Sequence, residues 1–214
     1  MPAICLMQKN LLIFDFDGTI ANTLAVAHHI LNEVGQEFNL PKVNQQQVMA
    51  LKGKSVREAM KMANMPWWKL PLFVRKARVR FREHLEKVSP IQGMPEILDA
   101  LRQRSYRMGI LTSNSEEGVR LFIEAHQLGD FEFIHAPDSI FGKSRMIKRI
   151  LSQNQLEPEA VIMIGDEVRD VNAANKAGID SIAVSWGFNS EDLLRNSKPT
   201  HLIHNPNDLL QLLA

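Results

Sequence analysis

Two aspartates one residue apart, Asp15 and Asp17, close the apolar run Leu11–Phe14 and precede Gly18 and Thr19. Side chains alternate along an extended chain, so the two carboxylates project the same way and Phe16 turns from them. Charges crowded like this repel unless a cation or a shared proton relieves them. Gly18 lets the backbone turn tightly, and Thr19 can cap the next element. Three more polar groups occur just past apolar runs: Thr112, Ser113 and Asn114; then Lys143; then Gly165, Asp166, Glu167 and Asp170. The acids Asp15, Asp17, Asp166 and Asp170 make an all-oxygen set that suits a hard divalent cation. Mg2+ takes one or two carboxylates together with waters and substrate phosphate. Lys143 and Ser113 would hold the remaining phosphate oxygens, and phosphoryl transfer needs little beyond such positioning and charge neutralisation.

The elements that must position these residues alternate in type. Short apolar runs at Leu11–Phe14, 107–112, 131–134, Val161–Gly165 and 181–184 read as strands, and 116–126, 144–154 and Val168–Ala177 carry helical periodicity. Alternation of this kind predicts an α/β fold with a doubly wound parallel sheet, whose ligand site lies beyond the carboxyl ends of the strands. Lys143 falls in the loop after the third strand. Residues 22–90 break the rhythm and read as several helices, a small helical cap inserted over the strand ends through two hinges. The core is then 1–21 with 91–214. Gly93 and Pro95 restart it ahead of a helix at 96–103, and the last helix begins at Asn205 and Pro206.

In the insert, residues 72–85 place Val74, Ala77, Phe81 and Leu85 on one side and Arg75, Arg78 and Arg82 on another, a solvated face rather than a nucleic-acid surface. Trp67 and Trp68 read as packing residues. His28 and His29 are adjacent, so they point apart on a helix and do not read as a metal pair. Gly53 and Lys54, ahead of a helical stretch holding Arg57, could reach the active site and grip an anionic substrate tail.

The 214 residues are 45% apolar and 23% charged with a net charge of +1, the profile of an ordinary globular protein with no bulk attraction to nucleic acid or membrane. A single cysteine, Cys5, excludes an internal disulfide. No signal peptide or membrane-length apolar run is evident, so the expected compartment is the reducing cytoplasm. Monomer and dimer both stay open.

In order, DFDGT, ILTSN, a lysine and IGDEVRD resemble the four motifs of the haloacid dehalogenase-like hydrolase superfamily. The pattern is similar to phosphoglycolate phosphatase-like members with a helical cap after the first strand, and AVSWGFNS near residue 185 has their flavour. The resemblance implies a phosphatase acting on a small phosphorylated metabolite. It makes Asp15 the nucleophile that becomes an aspartyl-phosphate and Asp17 the acid that protonates the leaving alcohol, then the base for water. Mg2+ would be held by the Asp15 carboxylate, the Asp17 backbone carbonyl and Asp166, supported by Asp170. Ser113, the Asn114 backbone and Lys143 would bind the phosphate. The family's usual lysine–proline pair is Lys143–Ser144 here, with Lys148 the nearby competitor. A phosphosugar mutase on the same core, or a non-catalytic phospho-ligand-binding regulator, are the alternatives.

Overall fold

Leu11–Phe14 (β1) is fully buried at the centre of a parallel sheet, as its unbroken apolar sequence requires. The protein is represented by a computed structural model that describes residues 10–44, 47–48, 56–62, 64–84, 87–137 and 142–214. Among these, six strands lie in the order β3-β2-β1-β4-β5-β6: β2 is Arg107–Leu111, β3 Ile134–His135, β4 Val161–Gly165, β5 Asp180–Val184 and β6 His201–Ile203. Every neighbouring pair is parallel. From β1 the chain winds to β2 and β3 on one side, then returns to β4 on the other. The crevice where the winding reverses therefore lies at the carboxyl ends of β1 and β4.

Helices cover both faces. On one, Leu12 and Phe14 pack with Ile97 and Leu98 of α4 (Met94–Gln103), Phe122 of α5 (Glu116–Ala125) and Leu209 of α9 (Asn207–Leu212). On the other, Leu11 and Ile13 meet Ile147 and Ile150 of α6 (Gly142–Asn154) and Ala173 and Ala174 of α7 (Val168–Ala177). Pro95 sits in the first turn of α4, where its missing N–H costs nothing.

Between β1 and α4 the described residues hold helices and no strand longer than a single bridge: α1 (Leu24–Glu37), α2 (Val56–Met62), a 3-10 turn at Trp67–Lys69 and α3 (Leu70–Glu83). The chain leaves and re-enters the core at one place. Ala21 bridges to Pro90, the Asn22 N–H donates to the Ser89 carbonyl at 2.9 Å, and the Ile91 N–H to the Ile20 carbonyl at 2.8 Å. Ile30, Val34 and Phe38 of α1 pack against Phe73 and Ala77 of α3, with the ring centroids of Phe38 and Phe73 5.4 Å apart.

Several expectations need correction. The third strand begins at Ile134 rather than 131, because Glu132 and Phe133 make only isolated backbone bonds to β2 (Glu132 N–H to the Met108 carbonyl, 2.8 Å) before the ladder forms. β6 and the short helix α8 (Glu191–Asn196) are additions to the expected elements, since each has too few residues to show a period. Lys143 lies in the first turn of α6, not in a loop. Of the expected apolar side of α3, Ala77 packs against α1, where Phe73 joins it, and Val74 is more exposed. Trp67 and Trp68 are 76% and 64% exposed and form an edge-to-face pair with each other, so they are not core packing residues. Cys5, Gly53, Lys54 and Leu85 lie outside the described residues, as do the side chains of Arg57, Arg78, Phe81 and Arg82. No helix of the described residues is long and apolar enough to cross a membrane.

Candidate active site

Asp15 is the first residue past β1 and is almost wholly buried. Its Oδ1 accepts the Phe16 N–H at 2.7 Å, and Lys143 Nζ pairs with its Oδ2 at 2.9 Å. The carboxylate is thus fixed in rotation by one contact on each oxygen. Phe16 turns into the core, edge-on to Phe122, while Asp17 keeps partial exposure through a cavity above the sheet. Gly18 at φ 74° makes the turn back, donating its N–H to the Ala21 carbonyl at 2.9 Å.

Asp166 follows β4 and is completely buried. Thr19 Oγ1 donates to its Oδ1 at 2.9 Å and the Phe188 N–H to its Oδ2 at 2.6 Å. Thr19 therefore orients an acid and does not cap a helix, because α1 starts only after Thr23. The stretch from Trp186 to Asn189 wraps this corner. Trp186 Nε1 donates to the Thr19 carbonyl (3.3 Å) and Asn189 Oδ1 accepts the Val168 N–H (2.8 Å). A Cβ on Gly187 would lie 2.1 Å from Asp166 Oδ2, so only glycine fits beside that acid.

Asp170 and Lys143 tie α7 to α6. Lys143 Nζ donates to Asp170 Oδ1 at 2.6 Å, and Asp170 Oδ2 accepts the Glu167 N–H at 3.1 Å in a capping box that starts α7. Lys148, the competitor, is exposed. Past β2, Thr112 is buried and its Oγ1 accepts the Asn114 N–H at 3.0 Å, so that backbone donor is already engaged. Ser113 is partly exposed on the cavity wall. Its Oγ accepts from Arg169 Nη2 at 3.3 Å, and Arg169 also pairs with Glu167 at 2.6 Å. Arg169 is a site residue that the motif reading does not single out. A cation in the first turn of a helix opposes the helix dipole, and among so many acids that anomaly is the available signal.

The acids are unevenly perturbed. Loss of hydration, then the Asp15 charge, pushes Asp17 up to about 7. Burial and the Asp15 charge raise Asp166 well above the usual carboxylate range, and the same two causes raise Asp170. Burial alone would lower Lys143, but the Asp15 and Asp170 charges outweigh it and the net shift is upward. Between the ordinary aspartate value of 3.8 and about 7, the folded metal-free protein holds protons that the unfolded chain has released. Its stability is thus expected to fall as pH rises through that window. Urea denaturation at pH 5 and pH 7 in a chelator checks this, and a rise in stability over the window would contradict the burial of these acids.

One oxygen each from Asp15, Asp166 and Asp170 lie within 4.8 Å of one another, a cluster that could bind a metal ion. Asp17's carboxylate is outside it. Asp17, on the same loop as Asp15, opens onto a cavity of about 290 Å³. Asp17, Thr23, Ser113 and Asn114 make its polar floor, and Ala27, Ile30 and Leu31 of α1 with Phe73, Val74 and Ala77 of α3 make its apolar walls.

Residues 12–184, which hold Asp15, Asp17, Ser113, Lys143, Asp166 and Asp170, match the haloacid dehalogenase-like hydrolase family profile. The chain belongs to this hydrolase family. A phosphoglycolate phosphatase of Synechococcus elongatus is 31% identical over 201 residues, covering 94% of this chain and 95% of that protein. Pyrophosphatase PpaX of Bacillus mycoides is 23% identical, covering 97% and 98%. The crystal structure of a predicted phosphoglycolate phosphatase from Haemophilus somnus superposes with a TM-score of 0.78 at 22% identity, covering 97% of this chain and all of that one. The hydrolase is a phosphatase of the phosphoglycolate phosphatase-like branch, with the family's parallel sheet and flanking helices.

Proposed function

We propose that this phosphatase hydrolyses a small phosphate monoester with Mg2+ through a phosphoryl group carried on Asp15. The observation that carries the reading is the meeting of three buried carboxylates and one buried lysine at the strand ends, with Asp17 and Ser113 of the neighbouring loops lining a cavity. The donor set fits Mg2+, because it is all oxygen and the Asp166 and Asp170 carboxyls beside Asp15 are raised by burial and by the neighbouring negative charge. The Asp15 carboxylate, the Asp17 backbone carbonyl and Asp166 would hold the ion, which supplies charge neutralisation for the phosphate. Asp170 is committed to Lys143 and the Glu167 N–H and supports the site from below.

In the first step an Asp15 oxygen attacks phosphorus and the bond to the ester oxygen breaks. Asp17, protonated in a large fraction of molecules at neutral pH because its pKa stands at about 7, gives its proton to the departing alcohol. Asp17 then takes a proton from water as that water attacks phosphorus, and the Asp15–phosphorus bond breaks to release inorganic phosphate. Ser113 and Lys143 bind the transferring group's oxygens, and the Asn114 backbone N–H joins them only by leaving Thr112 Oγ1. Residues 22–90 form a cap over a core of 1–21 and 91–214, a division supported by the paired crossings at 20–22 and 89–91. Closure of this cap would exclude water and select the leaving group.

The relatives' names include phosphoglycolate and pyrophosphate chemistry, both with anionic leaving groups. Among the described residues no cationic side chain lines this cavity; Gly53, Lys54 and Arg57 are proposed, from the sequence alone, to grip an anionic substrate tail.

The test is phosphate release from phosphoglycolate, pyrophosphate, sugar phosphates and an aryl phosphate, with Mg2+ or with chelator. Mg2+-dependent turnover supports the reading, and a folded protein inert toward every compound would remove it. The acid role adds a sharper expectation. Asp17→Asn should lower turnover of alkyl esters by about 100- to 1,000-fold, but cost an aryl phosphate, whose leaving group needs no proton, far less in the first step. Equal losses on both, measured as single-turnover rates, would remove Asp17 from leaving-group protonation.

A further inference from the structure

Away from the strand ends, a second set of metal-ligating side chains converges between α1 and α3. His29 and Glu33 are one helical turn apart on α1, and His84 follows the end of α3. His29 Nε2 lies 3.2 Å from Glu33 Oε1 and His84 Nε2 lies 3.4 Å from the same oxygen, with all three ligand atoms within 4.8 Å of one another. We propose that His29, Glu33 and His84 form a Zn2+ site that cross-links the two cap helices.

The spacing favours this reading. Bonds of about 2.0 to 2.1 Å in a tetrahedral site put ligand atoms about 3.3 Å apart, close to both observed nitrogen–oxygen separations. His28 is not a member of the set, its ring standing edge-on to that of His29 at 6.5 Å, and the partners of His29 come from the next turn of α1 and from the residue after α3. The donors are also poorly served without a cation. His84 Nε2 and Glu33 Oε2 are both buried and make no hydrogen bond among the described residues, even though His84 Nε2 lies near a carboxylate. A desolvated ring nitrogen and carboxylate oxygen left in this way carry a penalty that a shared metal removes.

Local charge permits it. Two neutral imidazoles and one carboxylate give the set a single negative charge. The cations along the same interface, Lys76 and Arg80, are paired with Glu37, and Arg80 also with Glu83. Imidazole nitrogen with one carboxylate suits Zn2+ and its neighbours rather than Mg2+, so the site is chemically distinct from the oxygen cluster at the strand ends. His29 is half exposed, which leaves room for water as the fourth ligand. Ala27, Ile30 and Leu31 lie on the same helix as His29 and Glu33, and Phe73, Val74 and Ala77 on the same helix that His84 follows. Binding would therefore fix the spacing of the two cavity walls.

The experiment titrates the full chain with Co2+ in excess Mg2+, which keeps the oxygen cluster filled. Nitrogen-ligated tetrahedral Co2+ absorbs strongly in the visible, whereas octahedral oxygen-ligated Co2+ absorbs weakly. One equivalent of strongly absorbing Co2+, displaced by Zn2+, is expected. His29→Ala and His84→Ala should each weaken it by about 100-fold or more, and Asp15→Asn should leave it unchanged. The half-exposed position of His29 makes its variant safe for folding, which circular dichroism confirms, and Glu33→Gln provides an isosteric third test. Absence of the strong bands, or an affinity unchanged in His29→Ala, would overturn the site.

Discussion

Asp15→Asn is expected to lower phosphate release by about 10,000-fold or more while leaving a folded protein. The amide has nearly the same shape and can still accept the Phe16 N–H through its oxygen, so the turn after β1 keeps its geometry. What it loses is the anionic oxygen that attacks phosphorus in the proposed mechanism. The substitution also withdraws the charge that, after burial, does most to raise Asp17, Asp166 and Asp170, so the remaining acids should ionise more readily. Lys143 keeps its 2.6 Å partner Asp170, which spares the variant an isolated buried cation. Steady-state release, combined with acid-quench trapping of labelled phosphoprotein, checks the prediction. Activity within tenfold of the native protein, or undiminished trapping, would place the nucleophile elsewhere.

Lys143→Met is expected to damage stability and activity together. Asp15 and Asp170 are buried, and both lean on this one ammonium group at 2.9 and 2.6 Å. Removing one partner of a buried ion pair leaves uncompensated charge, at a cost of about 3–5 kcal/mol by urea denaturation. Protonation of the stranded acids limits the loss at low pH, so the deficit should grow from pH 5 to pH 7. Adding Asp170→Asn to the Lys143→Met protein should recover part of the stability, because one of the two stranded charges is gone. It should not recover turnover, because the cation proposed to bind the transferring phosphate is still missing. Two independent losses that simply add would show that Lys143 and Asp170 do not act as a pair.

The elements carrying the chemistry are legible in the sequence because each has a strong local signal. β1 and β4 are unbroken apolar runs ending in acids, and for both, as for α7, the bounds expected from the pattern coincide with those observed. Edge elements carry no such signal. β3 and β6, two and three residues long, are defined by their neighbours' backbone groups rather than by any pattern of their own. The same division runs through the site. Asp15, Asp17, Asp166 and Lys143 announce themselves by position after strands, whereas the Phe188 N–H that orients Asp166 is a backbone donor, and no side-chain type marks it. The exposed pair Trp67 and Trp68 shows the reverse failure, since large apolar side chains predict burial only when an element exists to cover them.

The placing of β1 between β2 and β4 bears on how the protein is made. Strand β1 is made before both of its neighbours, residues 107–111 and 161–165. A nascent chain must therefore hold an apolar segment and its two acids without these partners while the residues between are synthesised. Pairing with β2 completes one edge of β1, but neither Asp166 nor Asp170 has yet been translated. The crowding of carboxylates, the most costly feature of the finished site, is postponed until most of the sheet exists to enforce it. Nonlocal pairing of this kind slows folding. It also means that a chain truncated before β4 holds a nucleophile without the acid cluster that would use it.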